Sequence, residues 1–305
     1  MNTHSDVRVS VVTPSYNMAE RLPRCVASIA AQSYRNVEHI VVDGASTDGT
    51  VEYLADQPGL KWISEPDSGQ AEAINKGLAM SSGDLLTWLN ADDRLAPGAV
   101  EAAVTAAEQR PEAGLFYGDI EVVGIDDRRV LRSPASLSME SFCRGNVLSQ
   151  PGTFFTRRAL ERVGPIDETF HLTMDFELWL RLMAAGIAAV HLPGVVASFE
   201  VHPGSKTGSR TTLEFAQEEE RALLKHGKPH WAAMAIDRWF WDAELNAIAD
   251  LLGKGAYRVA RERARGDLHQ LPPVFGRHRL FLWAAGVVPW GARLAVRFKR
   301  HRPFA

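Results

Sequence analysis

Along most of the chain the apolar positions fall into two alternating regimes: short runs rich in branched or apolar residues, and longer stretches with an apolar residue every three or four positions. Residues 9–13, 37–42, 60–64 and 85–89 are runs of the first kind, and each predicts a buried strand. Between them, residues 19–31, 51–54 and 71–80 carry helical spacing, the last closing at Ser81-Ser82-Gly83, and 99–109 adds a further helix. Strand and helix taking turns in this way predict an α/β domain with a doubly wound, mostly parallel sheet flanked by helices. Farther on, 115–123 and 129–131 predict a hairpin about Asp126-Asp127, 153–156 a strand, 157–163 a helix stopped by Gly164-Pro165, and 175–183 an amphipathic helix. Two more strands follow at 187–192 and 195–201, then helices at 212–226 and 231–252, whereas 136–151 gives mixed signals for a short helix or a loop. The expected division is a core of residues 1–209, a helical extension of 210–275 and a tail of 276–305.

Composition narrows the class. A chain of 305 residues, 46% hydrophobic and 23% charged, can bury one large domain with appendages or two domains. Cys25 and Cys143 lie far apart and form no CxxC pair, which fits a reducing compartment and argues against a cysteine-based zinc site. The first eight residues are polar and contain no apolar signal core, so a cytoplasmic location is expected. Charge is uneven: no acid follows Asp267, while Arg277, Arg279, Arg293, Arg297, Lys299, Arg300 and Arg302 are basic. Removing those seven charges from the net −3 leaves −10 on the first 276 residues. The uncharged run inside this tail, 280–292, holds Trp283, Pro289 and Trp290 and spans 13 residues. A spanning helix needs roughly 20. The tail therefore reads either as an interfacial segment held at an anionic membrane, peripheral on the inner face of the plasma membrane, or as a helix packed on the body with a solvated basic end. Nucleic acid is the less favoured partner.

Chemistry concentrates where the strands end. Leu85-Leu86-Thr87-Trp88-Leu89 stops on Asn90-Ala91-Asp92-Asp93, and open α/β sheets place ligands at this end of their strands. Two adjacent carboxylates raise one another's pKa unless a cation separates them, which suits Mg²⁺ or Mn²⁺ carrying a phosphorylated ligand; the alternative is a turn that caps the next helix. The strand at 9–13 ends in Pro14-Ser15-Tyr16-Asn17 with no glycine-rich loop, which disfavours a dinucleotide site or a P-loop. Asp43 lies at the tip of the next strand and Asp175 at a helix start, where a capping role is open to each.

Taken in order, Thr13-Pro14-Ser15-Tyr16-Asn17, Val42-Asp43-Gly44-Ala45-Ser46-Thr47-Asp48-Gly49-Thr50, Gly69-Gln70-Ala71-Glu72-Ala73-Ile74-Asn75-Lys76-Gly77, Asn90-Ala91-Asp92-Asp93, Met174-Asp175-Phe176-Glu177-Leu178-Trp179 and His202-Pro203-Gly204-Ser205-Lys206 closely resemble family 2 glycosyltransferases with a GT-A fold. The resemblance runs from about residue 7 to 207 and leaves the last third uncovered. It implies an inverting, metal-dependent transfer of a sugar from a nucleoside diphosphate sugar, most commonly a UDP-sugar, to an acceptor hydroxyl. Pro14, Ser15, Tyr16 and Asn17 would line the donor, Pro14 and Tyr16 packing on the base and Asp43 hydrogen-bonding it. Gln70, Asn75, Asp92 and Lys206 join the donor-binding set. Asp92 and Asp93 match the metal-binding motif, with Asn90 where its first acid usually stands, and His202 matches a histidine that reaches the metal or diphosphate. Asp175 matches the catalytic base, with Met174 in place of a preceding acid and Glu177 as the fallback base. Ile74 stands where relatives often carry a base-contacting arginine.

The chemistry asks for these groups independently: a cation for charge building on the leaving diphosphate, and a carboxylate to take the proton of a weakly nucleophilic hydroxyl. A membrane-bound tail would make a saccharide or lipid-linked saccharide of envelope polysaccharide or glycolipid synthesis the acceptor. Two alternatives are a sugar nucleotidyltransferase, which should carry a glycine-rich basic loop after its first strand, and an inactive nucleotide-binding or membrane-associated partner of a polysaccharide assembly.

Overall fold

The computed structural model describes residues 6–124, 128–143, 145–202, 204–206, 212–232 and 235. The tail at 276–305 and most of the helix expected at 231–252 lie outside the described residues. Its contacts divide the chain into two compact units, Met1–Arg210 with Lys225–Gly227, and Thr211–Leu224 with Lys228–Ala305.

The first unit is built on one mixed sheet. Strands β1 (Val9–Ser15), β2 (Val37–Asp43), β3 (Lys61–Ser64) and β4 (Leu85–Trp88) pair in parallel in the order β3-β2-β1-β4. Helices α1 (Leu22–Ala30), α2 (Thr50–Ala55) and α3 (Gln70–Met80) make the crossovers. β1 is buried along its whole length, as a strand covered on both faces must be. α1 buries Leu22, Cys25 and Ile29, one stripe of its surface.

The other half of the sheet mixes directions. β5 is the two-residue strand Arg94–Leu95, and after α4 (Ala99–Gln109) come β6 (Ala113–Val123) and β7 (Arg128–Leu131), the expected hairpin. The mixed-signal stretch holds a short helix, α5 (Met139–Cys143), and a single 3₁₀ turn at Gln150–Gly152. β8 (Thr153–Thr156) lies antiparallel between β4 and β6, and Thr156 then caps α6 (Arg157–Val163) by accepting from the Ala159 amide at 3.1 Å. α7 (Met174–Ala184) follows, then β9 (Ala188–Glu200), which runs parallel to β6. The two strands expected at 187–192 and 195–201 are one: Gly194, at φ 75°, takes up an irregular register without ending the pairing. The last helix, α8, spans Thr212–Lys225, all but its final residue in the second unit.

Two clusters decide what the sheet presents at each end. At the start of β2 the buried Glu38 accepts from Ser10 Oγ (2.7 Å), Lys61 Nζ (2.7 Å) and the Ser82 amide (2.6 Å); these contacts outweigh burial and bring its carboxyl down to about 2. That end is closed. Near the opposite end, Trp88 stacks on Trp179 at 5.8 Å and 15°, with Phe155 edge-on to both, so β4, β8 and α7 share one aromatic core. This core fixes the start of α7 relative to the end of β4.

Candidate active site

The parallel strands end where the sequence places its acids. Pro14 and Ser15 are still in register with Val42 and Asp43 and are buried, and Ser15 Oγ has no hydrogen-bond partner among the described residues. Tyr16 turns outward and is 62% exposed. Asn17 donates its backbone amide to Ser46 Oγ (2.7 Å) and accepts the Thr47 amide on Oδ1 (3.0 Å), tying the loops after β1 and β2 together. Asp43, expected against a base, is fully buried and accepts from the Ser46 amide (2.9 Å), Ser46 Oγ (2.5 Å) and Ser64 Oγ (2.7 Å). Its carboxylate organises its own turn and clamps it to β3.

After β4, Asn90, Asp92 and Asp93 separate into different jobs. Asp93 is fully buried, one oxygen accepting from the Glu200 amide (3.3 Å) and the other from Asn90 Nδ2 (3.1 Å). Burial first, and the neighbouring Asp92 second, push its pKa well above the usual carboxylate range. Asn90 in turn accepts Gln70 Nε2 at 2.6 Å. An amide at position 90 can accept from Gln70 while donating to Asp93, which a carboxylate there could not do. Asp92, with 12% of its side chain exposed, stands 3.1 Å from His202 Nε2.

Asp175 sits in the first turn of α7, partly buried, and accepts Asn146 Nδ2 at 2.9 Å. Burial raises its pKa to about 6 against the opposing pull of the Phe176 amide, Asn146 and Lys206. Glu177, the fallback base, is corrected by its surroundings: it is fully buried and held by Arg181 (2.8 Å), Lys225 (2.7 Å) and His226 (3.0 Å). Those contacts overcome burial and lower its carboxyl to about 2, leaving it no basicity to use near neutral pH. Asn75, expected at the donor, spends both amide hydrogens on Ile166 O (2.9 Å) and Glu168 Oε1 (2.8 Å) and accepts the Ile166 amide (2.9 Å). It fastens α3 to the segment before α7. Lys206 donates to His171 O at 2.5 Å and lies close enough to Asp175 to act on its charge.

One segment gathers these groups. The Glu200 amide reaches Asp93, His202 reaches Asp92 and Lys206 acts on Asp175, so these three residues serve the three acids in turn. Glu200 and Asn146 had no signal in the sequence, since their contacts bridge 107 and 29 positions. The Asp92 and His202 pair also fits a divalent ion in its donor set. Among the described residues no third His, Cys, Asp or Glu completes a cluster, and Mg²⁺ bound by one or two protein groups takes its other ligands from water and substrate phosphate.

Comparison with known proteins bears on the family and the fold. The sequence model described as Glycosyl transferase family 2 matches residues 10–168, more than half of the chain. An uncharacterized glycosyltransferase of Mycobacterium tuberculosis is 39% identical over 180 residues, 57% of this chain and 68% of that protein. A PGL/p-HBAD biosynthesis glycosyltransferase of Mycobacterium bovis is 27% identical over 203 residues, 64% of this chain and 77% of that one. Among solved structures, S. aureus TarS 1-349 in complex with UDP-GlcNAc superposes with a TM-score of 0.61 at 15% identity, covering 96% of this chain and 91% of that one. The mannosyltransferase PcManGT from Pyrobaculum calidifontis, in complex with GDP-Man and Mn²⁺, gives 0.58 at 20% identity, covering 97% and 89%. At these identities the two structures establish a shared GT-A-like fold. With the family's sequence model lying across the strands that carry the acids, the chain belongs to glycosyl transferase family 2 and is a glycosyltransferase.

Proposed function

We propose that the chain transfers a sugar from a nucleoside diphosphate sugar to an acceptor hydroxyl with inversion at the anomeric carbon, and that Asp175 is the catalytic base. The observation that supports this reading is that Glu200, His202 and Lys206, close together in sequence, meet Asp93, Asp92 and Asp175 in turn, Asp92 with His202 offering a donor pair for a cation and Asp175 a carboxylate of raised pKa. Asp175, at about 6, is mostly ionised at neutral pH yet more basic than an ordinary carboxylate. It takes the proton of the acceptor hydroxyl as that oxygen bonds to the anomeric carbon. The bond from that carbon to the diphosphate oxygen breaks on the opposite face. Asn146 fixes the Asp175 carboxylate during the transfer. Asp92 and His202 would hold Mg²⁺ or Mn²⁺, which when bound supplies charge stabilisation for the departing diphosphate. Pro14, Ser15 and Tyr16 border the donor, Gln70 acts through Asn90, and Asp93 supports Asp92 from behind as a buried acid.

Support for a lipid-linked acceptor comes from the relative named for PGL/p-HBAD biosynthesis and from the basic, aromatic composition of residues 276–305. Within this reading the core of 1–209 performs the transfer, 210–275 is a helical extension and 276–305 rests on anionic lipid at the inner face of the membrane.

The test is consumption of nucleoside diphosphate sugars with Mn²⁺, by the intact chain and by Asp92→Ala and Asp175→Asn. Removal of a general base should lower the rate by about 10² to 10⁴. Asp92→Ala should in addition raise the Mn²⁺ concentration needed for half activity. Unchanged turnover in both variants would discard the assignment.

A further inference from the structure

Tyr16 and Asp67 stand side by side over the backbone of Gly44. A Cβ built on Gly44 would stand 2.8 Å from Asp67 Oδ2 and 3.4 Å from Tyr16 Cδ2, so a side chain at 44 would displace one of them. The Tyr16 ring, 62% exposed, is the most exposed large apolar side chain among the described residues. Asp67 accepts the Gly69 amide on Oδ1 at 2.9 Å, while Oδ2, the oxygen over Gly44, takes no hydrogen bond from the described residues. Several donors nearby are already engaged. Ser46 Oγ and Ser64 Oγ donate to Asp43 (2.5 and 2.7 Å), Lys76 Nζ is held by Glu65 and Glu72 (2.8 Å each), and the Gly44 amide donates to Ser15 O (2.9 Å). Position 74, on the adjoining helix, is a fully buried isoleucine.

Together Tyr16 and Asp67 offer an aromatic face and an edge of acceptors. Resting on the donor reading above, we propose that Asp67 reads the base of the donor nucleotide and selects guanine over uracil. Guanine presents two adjacent donors, N1–H and an N2–H, which match the fork of a carboxylate. Uracil presents a single N–H flanked by two carbonyls, and those carbonyls would face carboxylate oxygens. Adenine and cytosine each set one amino group beside a ring nitrogen that is itself an acceptor. Burial, with Glu72 and Asp43 adding to it, raises the pKa of Asp67, a build-up of negative charge that two donated hydrogen bonds would relieve. The inference departs from the UDP carrier that family frequency suggests.

Calorimetric titration of the full chain with GDP, UDP, ADP and CDP in the presence of Mn²⁺ tests it. GDP should bind at least about tenfold tighter than UDP, within the range a bidentate pair supplies. Asp67→Asn, whose amide oxygen can keep the Gly69 contact, should bring the GDP to UDP ratio close to one or below with an unchanged melting temperature. Tyr16→Ala should weaken both nucleotides alike. UDP binding as tightly as GDP, or a ratio that Asp67→Asn leaves unaltered, overturns the inference and leaves the transferase reading standing. Binding of none of the four overturns that reading and this inference with it.

Discussion

Asp175 shows how a single residue couples chemistry to stability. Its folded pKa of about 6 lies above the ordinary 3.8 because burial disfavours the charged form. A raised folded pKa means that the fold favours the protonated acid. The associated stability is complete below the unfolded pKa and is lost as pH rises through about 6, amounting to about 3 kcal/mol at 1.36 kcal/mol per unit. Asp175→Asn removes that titration, so its melting temperature should exceed that of the parent by several degrees at pH 8, with the gap closing below pH ~4. The same group should give kcat/KM an acid limb near pH 6, with activity rising as pH increases, and the limb should vanish along with most of the rate in Asp175→Asn. Differential scanning fluorimetry and a pH series of initial rates check the two halves separately. The sequence pointed to Asp175 through its motif alone; its basicity could not be read there, because Asn146 and Lys206 are brought to it from 29 and 31 positions away. For Glu177 the same kind of distant contact, with Lys225 and His226, settles the opposite outcome.

At the scale of elements, the site depends on how closely α3 lies on β1. A Cβ on Gly77 would meet Val12 Cγ1 at 2.3 Å and Cγ2 at 3.1 Å, both parts of a fully buried side chain in β1. Gly77→Ala gains about 1 kcal/mol of helix propensity but forces this contact apart, and overpacking of a core costs about 1 to 3 kcal/mol. The net expectation is a lower melting temperature and weaker nucleotide binding, because α3 carries Gln70 to Asn90. Val12→Ala in the same chain should recover much of the loss in thermal denaturation; an additive double variant would show that the two positions are uncoupled. The first four strands and α4 were legible from the sequence because a buried strand and an amphipathic helix carry their period locally. β5 was not, since two residues hold no period and its pairing with β9 is set by chain more than a hundred positions away. Nor was the unity of β9, whose irregular register at Gly194 looks like a break in a linear reading.

For the whole molecule the chain's charge asymmetry bears on the choice of acceptor. No helix among the described residues is long and apolar enough to cross a membrane, while residues 276–305 carry seven basic residues and no acid. Deleting 276–305 should leave nucleotide affinity intact and reduce flotation with anionic vesicles, an effect that weakens with added salt. Equal flotation of both forms would remove the membrane reading. The sequence by itself determined the α/β class, the order of the strand-tip motifs and the family, because each rests on contiguous residues and on local periodicity. Only tertiary structure decided which acid would have a raised pKa, which would be fully buried and which would be paired with a histidine. A carboxylate's behaviour depends on its dielectric surroundings and on partners such as Glu200, His202 and Lys206, which are far away along the chain and adjacent only after folding.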